Sequence, residues 1–304
     1  MINARMAVLA LLWGSSFLWI KLALTGFAPV HLTLIRCALG ALTLLALAAM
    51  ARQRLPRDRG TWGRLVIAAL FCNAVPFALF SIGESTLDSG TAGVMNATTP
   101  LWSLLIGIAL GTERGLHPAR LAGLGMGFAG VLLIFSPWRH SALLSWGALA
   151  LLGAALSYAI AFAYMARKLT AGDAPLAVSA AQLMAATGLT AVALPTASAA
   201  PQVTLTAVVA VTILGVFGTG ITFYLNYRLI ADEGPTSAAT VGYLLPVVSV
   251  ALGAVFLGET LTPQVIAGMV VVLVAVALTR LGVVGGGGGA GPPPRPAPQP
   301  QPPE

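Results

Sequence analysis

Apolar stretches of about 18–25 residues, each long enough to cross a hydrocarbon core of about 30 Å as a helix, recur along most of the chain. They fall at residues 6–24, 29–51, 64–83, 89–110, 119–136, 147–166, 176–196, 204–230, 236–257 and 264–281. Backbone groups in lipid must find partners within their own segment, so such stretches are helices. A transmembrane barrel would show short strands alternating apolar and polar residues, and that pattern is absent. The composition leaves no other solution. Only 8% of the residues are charged and 58% are hydrophobic, whereas a soluble domain carries about 25% charged residues. The expected fold class is an all-α membrane protein with ten transmembrane helices.

The bases set the expected orientation. A net charge of +7 would suit nucleic acid only if the bases gathered on one solvated face. They lie instead in short gaps between apolar runs, so a nucleic-acid partner is excluded and the lipid bilayer is the expected surroundings. The gap RQRLPRDRGTWGR alone holds Arg52, Arg54, Arg57, Arg59 and Arg64. With the N-terminus inside, these five share one face with Arg5, Arg114, Arg120, Arg167, Lys168, Arg228, Arg280 and Arg295. Lys21 and Arg139 fall on the other face, and Arg36 falls within a span. The excess places both termini in the cytoplasm of a bacterial-type inner membrane. The opening segment has the form of a leader peptide, but it has a counterpart in the second half and is expected to be a retained span. Cys37 and Cys72 lie in apolar runs and read as free buried thiols. No histidine or cysteine spacing suits a metal or haem, so no cofactor is expected.

The second half repeats the first. Ala92, Pro100, Ser103, Gly107 and Glu113 match Ala238, Pro246, Ser249, Gly253 and Glu259 at one constant offset. After a one-residue gap, Leu116, Pro118, Ala122 and Gly123 match Leu261, Pro263, Ala267 and Gly268. Trp13 and Phe17 correspond to Tyr158 and Phe162, while Pro29 and Arg36 correspond to Pro175 and Gln182. The expected units are residues 1–137, residues 138–282 and a Gly/Pro-rich tail, 283–304, without apolar content to bury. Five spans per unit is an odd number, so the copies enter the membrane from opposite sides. The charges agree: the loop after span two carries five arginines, and its counterpart ASAAPQVT carries none. Inverted repeats of this kind put a substrate site near the midplane, where the halves meet.

These segments resemble a known family. Two five-helix repeats, beginning LLWGSSFLWIK and ending PVVSVALGAVFLGETLTPQVIAG, are similar to the EamA-type branch of the drug/metabolite transporter superfamily. The resemblance covers about residues 6–282 and is most specific around Leu257, Gly258, Glu259 and Pro263; the first half departs from it at Gly111, Thr112 and Glu113. It implies ten spans, a central cavity between the halves and export of amino acids or other metabolites. Within the family the chain is most similar to aromatic amino-acid exporters. Multidrug, nucleoside, sugar or lipid transport on the same architecture is the alternative, and a monomer is the expected working unit.

Candidate working parts follow from residue type and depth. Pro100 and Pro246 sit mid-span at equivalent positions, and Pro76 and Gly218 repeat the theme in another pair of spans. A proline deletes a backbone donor and bends its helix, which suits a hinge or a polar site. Arg36 is the one base well inside a span. It must face protein or water, either to attract a substrate carboxylate or to lock its helix to a neighbour; the neutral equivalent Gln182 favours the lock. Lys21 is expected to snorkel to the interface. Substrate-binding candidates are the aromatic Trp13, Phe17, Phe77, Trp102, Tyr158, Phe162, Phe223 and Tyr243, with Ser16, Asn73, Asn96, Thr99, Gln182 and Thr219 as polar fixers.

The nine acids include none that reads as deep in a span. A pump for lipophilic cations needs such a carboxylate, so a neutral or zwitterionic cargo and weakly coupled transport are expected. An intramembrane enzyme would need a buried Asp pair, a Ser/His pair or zinc ligands at membrane depth. None is present in the pattern, and no catalytic role is expected.

Overall fold

The structure is a computed structural model that describes residues 4–87, 89–111, 118–135, 145–169, 174–197, 200–234, 238–257 and 262–286. The first half contains α1 (Ala4–Gly14), α2 (Ser16–Ala23), α3 (Pro29–Met50), α4 (Arg59–Ala69), α5 (Val75–Thr86), α6 (Ser89–Asn96), α7 (Thr99–Ala109) and α8 (Pro118–Phe135). The second contains α9 (Trp146–Lys168), α10 (Pro175–Val192), α11 (Leu205–Gly215), α12 (Thr222–Glu233), and helices Val241–Leu257 and Pro263–Gly286. No strand occurs among the described residues. Among the described residues, seven helical rods, some built from two elements, are long and apolar enough to cross a membrane: Ala4–Ala23, Pro29–Met50, Arg59–Thr86, Ala92–Ala109, Trp146–Lys168, Pro175–Val192 and Leu205–Glu233.

Local chemistry explains where these helices start. Pro29 and Pro175 each stand in the first turn, behind an extended alanine, where a missing N–H is harmless. Asp58 accepts from the Thr61 N–H ahead of α4, and Thr204 accepts from the Ala207 N–H ahead of α11. These are equivalent caps in the two halves. The last helix runs on to Gly286, beyond the span end expected at residue 281. The rest of the proline-rich tail lies outside the described residues, as do Arg114, Arg139 and Arg295.

The bundle is apolar outside and polar within. Leu11, Leu42, Leu105 and Val192 are exposed, whereas Arg36, Asn73, Ser81, Glu84, Gln182 and Asn226 are buried. That inversion is the expected arrangement when lipid is the solvent. The helices also meet in a pattern that survives exchange of the two halves. The rod Ala4–Ala23 packs on the rod Leu205–Glu233 as α9 packs on the rod Arg59–Thr86, and α1 packs on Val241–Leu257 as α9 packs on α6 and α7. α3 packs on α10, and α8 packs on Pro263–Gly286. Small residues let α8 and Pro263–Gly286 cross closely: a Cβ on Gly130 would lie 2.7 Å from Val272 Cγ2 and 3.0 Å from the Gly268 carbonyl oxygen.

Two π-turns interrupt the long rods at matching places. Leu70–Ala74 joins α4 to α5, and Val216–Ile221 joins α11 to α12. The prolines do not behave alike. Pro76 starts α5 directly after its π-turn, and Pro100 starts α7 after a break at Ala97 and Thr98. Pro246 lies inside a continuous helix, and the interruption in that rod falls at Thr240.

Candidate functional site

The halves enclose a central cavity lined by α1, α2, α3, α5, α6, α7, α9 and the start of the rod that begins at Ala238. Its aromatic wall is Trp13, Phe17, Phe80, Tyr158 and Phe162. These rings touch one another: Trp13 and Tyr158 centroids are 6.2 Å apart, Phe17 and Phe80 6.0 Å, Phe80 and Tyr158 5.9 Å, and Tyr158 and Phe162 5.8 Å. The polar lining is Ser16, Arg36, Asn96 and Thr99 from the first half, with Tyr158, a phenol, from the second. Gly242 is the counterpart of Asn96 and Leu245 of Thr99, while Gln182, the counterpart of Arg36, is bonded to Asn73 outside the lining. The cavity is therefore built on a symmetric scaffold and lined asymmetrically.

Its volume is about 40 Å³, room for about three waters. A bulky solute would need the walls to part. A second, wider space of about 440 Å³ opens at one end of the bundle, lined by Lys21, residues 24–29, Glu84, Ser85, Ala200 and Gln202. Its rim is stitched where Gln202 N–H donates to the Gly26 carbonyl at 2.8 Å. Gly26 is required there, because a Cβ would lie 2.4 Å from the Gln202 carbonyl oxygen. The charge pattern predicts this end to be external.

Arg36 is locked to a neighbouring helix and also faces the cavity. Its Nε donates to Thr219 Oγ1 at 3.1 Å, and its guanidinium carbon lies 3.6 Å from the centre of the Phe77 ring. That fixes α3 against the π-turn of the other half. The same side chain also lines the cavity, and among the described residues no carboxylate pairs with it. One of its five donors goes to Thr219; a guanidinium held this way can offer others to a solute. The equivalent lock in the other half is Gln182 Nε2 donating to Asn73 Oδ1 at 2.7 Å.

Seven of the expected binding residues stand outside the cavity wall. Asn73, Gln182 and Thr219 are consumed in the two locks, since amides and hydroxyls on facing helices bond to each other before they bond to a solute. Phe77 supports Arg36 and meets Phe223 edge-on at 5.4 Å. Phe223 in turn backs Trp13 at 5.8 Å, one layer behind the wall. Tyr243 is fully buried, its hydroxyl donating to the Leu124 carbonyl at 2.9 Å across Gly127. Trp102 is half-buried, and its indole Nε1 has no hydrogen-bond partner. Of the expected hinges, Gly218 packs close behind Ser16: a Cβ there would lie 2.8 Å from Ser16 Oγ.

Three features were not expected. Phe80 and Ile20 complete the wall; Phe80 lies one helical turn beyond Phe77, a spacing that could have flagged it. Lys21, expected to snorkel, is exposed beside the vestibule and also bonds to a neighbouring helix. Its Nζ donates to the Glu84 and Leu87 carbonyls at 2.9 Å each, capping the C-terminus of α5. Glu84 itself is wholly buried, with neither carboxylate oxygen hydrogen-bonded. No acid was expected deep in a span; Glu84 stands in the last turn of α5, which continues to Thr86 beyond the apolar run's end at residue 83, and is nonetheless buried within the protein.

An apolar exterior, a cavity shared between two matching halves and a buried guanidinium facing it define a multi-pass membrane protein of transporter type. The chain belongs to the EamA-like transporter family, whose pattern matches residues 4–136 and again residues 145–281. It is 28% identical over 280 residues to the uncharacterized inner membrane transporter YedA of Escherichia coli (strain K12), covering 90% of this chain and 89% of that protein. It is 26% identical over 278 residues to the uncharacterized transporter YvbV of Bacillus subtilis (strain 168), covering 90% of each. A solved crystal structure superposes with a TM-score of 0.75 at 20% sequence identity, covering 92% of this chain and 96% of that one. At that identity the likeness is one of fold.

Proposed function

We propose that the chain exports a neutral amino acid with a bulky, preferably aromatic, side chain by alternating access. The observation that carries this reading is the one-sided lining of the central cavity. Arg36, Ser16, Asn96 and Thr99 face it from the first half, and a cluster of aromatic rings completes it. A carboxylate suits the guanidinium, an ammonium suits the hydroxyl and amide oxygens, and an apolar side chain suits the rings. The reading includes ten spans in two inverted repeats, with both termini cytoplasmic and the monomer as working unit. The exchange-symmetric contacts and the doubled family match support the repeat. Access would alternate as the halves rock about the π-turns and the breaks near Pro100 and Thr240.

The test is flux. Purified protein in liposomes should move aromatic amino acids saturably, with competition among them; absence of flux for every amino acid removes the cargo assignment. A second reading, export of a lipophilic cation, is favoured by the buried Glu84 carboxylate. Arg36 in the cavity wall weighs against it, and competition by organic cations instead of amino acids would decide for it.

A further inference from the structure

We propose that Glu84 is a proton-binding site that couples opening of the outer vestibule to the proton gradient, an inference that rests on the transport reading above. The two cavities are stacked along the bundle with one layer between them. On α5, Phe80 lines the central cavity and Glu84, one turn on, lines the vestibule. At the end of α2, Ile20 lines the central cavity and Lys21 the vestibule. Phe17 closes the layer by packing edge-on against Phe80. Glu84 therefore stands in the partition that has to open when solute passes between the chambers.

The carboxyl is 0% exposed and both its oxygens lack hydrogen-bond donors. An ionised carboxylate in that condition is costly, whereas the protonated acid is tolerated. The charged groups that act on it are Lys21 on α2 and Arg36 on α3. α9 presents Gly147 and Leu151 to this end of α5, with Tyr158 lower down against Phe80. Asp88, ahead of α6, lies outside the described residues. Lys21 is the group whose bonding would change. In the closed form its ammonium is held by the Glu84 and Leu87 carbonyls. When Glu84 gives its proton to vestibule water, the new carboxylate competes for that ammonium, removes the cap from α5 and brings water to the partition. Protonation restores the cap and closes it.

A proton fits better than a metal cation. A hard cation needs several oxygen ligands, and the Glu84 and Leu87 carbonyls are occupied by Lys21.

Two measurements on the full chain in liposomes test this without knowledge of the cargo. Infrared difference spectra against pH should show a protonated-carboxyl band that is lost as pH rises and is missing in Glu84→Gln. Its absence from the unmodified protein overturns the proposal, whatever the variant does. Labelling of Ile20→Cys, in a Cys37→Ala, Cys72→Ala background, by a membrane-impermeant maleimide reports opening of the partition. Divided by the rate for a free thiol at the same pH, which removes the thiolate's own pH dependence, the labelling rate rises by up to about tenfold per pH unit with one linked proton until it saturates, and Glu84→Gln should make labelling, so corrected, independent of pH. Labelling that ignores pH with Glu84 in place, or that follows sodium at constant pH, overturns it. Amino-acid flux persisting with pH-independent labelling removes the proton site and leaves the transport reading standing. The band and the pH-dependent labelling without amino-acid flux uphold the proton site and remove only the cargo.

Discussion

Gln182 donates to Asn73 across the interface between the halves in the same way that Arg36 donates to Thr219, at 2.7 and 3.1 Å. In each pair, a residue at one position of α3 or α10 meets the π-turn of the opposite half. The scaffold has kept the geometry of the pair while its chemistry diverged: one lock is neutral, and the other carries a charge that also lines the cavity.

The neutral lock should be cooperative. Gln182→Leu and Asn73→Leu each leave a buried amide without its partner and should cost about 1–3 kcal/mol of stability. The double variant should cost less than the two together, because no orphan remains. Unfolding of the four proteins in detergent checks this. Strictly additive losses would mean the hydrogen bond between them contributes nothing.

Replacing the charged partner should separate binding from folding. Arg36→Gln keeps a donor within reach of Thr219 but loses the cation. A charge-assisted hydrogen bond contributes about 1.5–3 kcal/mol, so affinity for an aromatic amino acid should fall roughly 10- to 150-fold. Affinity for the corresponding amide, which has no carboxylate, should change little. Equal losses for both ligands would assign Arg36 to architecture alone.

Two glycines on α8 should respond oppositely to the same change. Gly130→Ala puts a Cβ 2.7 Å from Val272 Cγ2 and against the Gly268 backbone, overpacking that should cost about 1–3 kcal/mol. Gly125→Ala meets nothing within 4 Å and should stabilise the helix by up to about 1 kcal/mol. Thermal unfolding of the two variants compares them directly.

Outside the bundle, the Asp58 carboxyl is held below its ordinary value chiefly by the backbone N–H of Thr61, then by Gly60 and the Thr61 hydroxyl. A lowered value means its stabilisation is fully present above the unfolded carboxylate range, near about 3.9, and is lost as pH falls through the folded value. Asp58→Ala should lower Tm at neutral pH and flatten the acid-side decline. Asp58→Asn should keep the cap and flatten that decline too. An unchanged pH profile of Tm in both would show that the cap does not report on α4.

How much of this was legible in the sequence follows from which physics a pattern records. Helix positions are written in apolar runs and in Pro29, Pro118, Pro175 and Pro263, so nearly every rod begins close to where it was expected. Trp13, Phe17, Tyr158 and Phe162 came from matching repeat positions, and all four line the cavity. Partner choice is not written that way. Asn73 and Gln182 have the depth and chemistry of ligand fixers, and only their mutual distance shows that they bond to one another. Glu84 was placed past its span because hydropathy falls off before the helix ends; the helix runs to Thr86, and Lys21, 63 residues away in sequence, reaches the Glu84 carbonyl. Pro246, expected as a hinge, lies within a helix that runs through it without a break.

On the proposed inverted arrangement, the locks have a thermodynamic consequence. A bundle related to itself by a half-turn in the membrane plane would offer two end states of equal energy, one open to each side. Every position where the copies carry different side chains lifts that degeneracy. Arg36 against Gln182, Thr219 against Asn73 and Glu84 against Ile230 are such positions. The resting direction of the machine would then be set by a handful of unequal pairs, and exchanging them between the halves would turn it round.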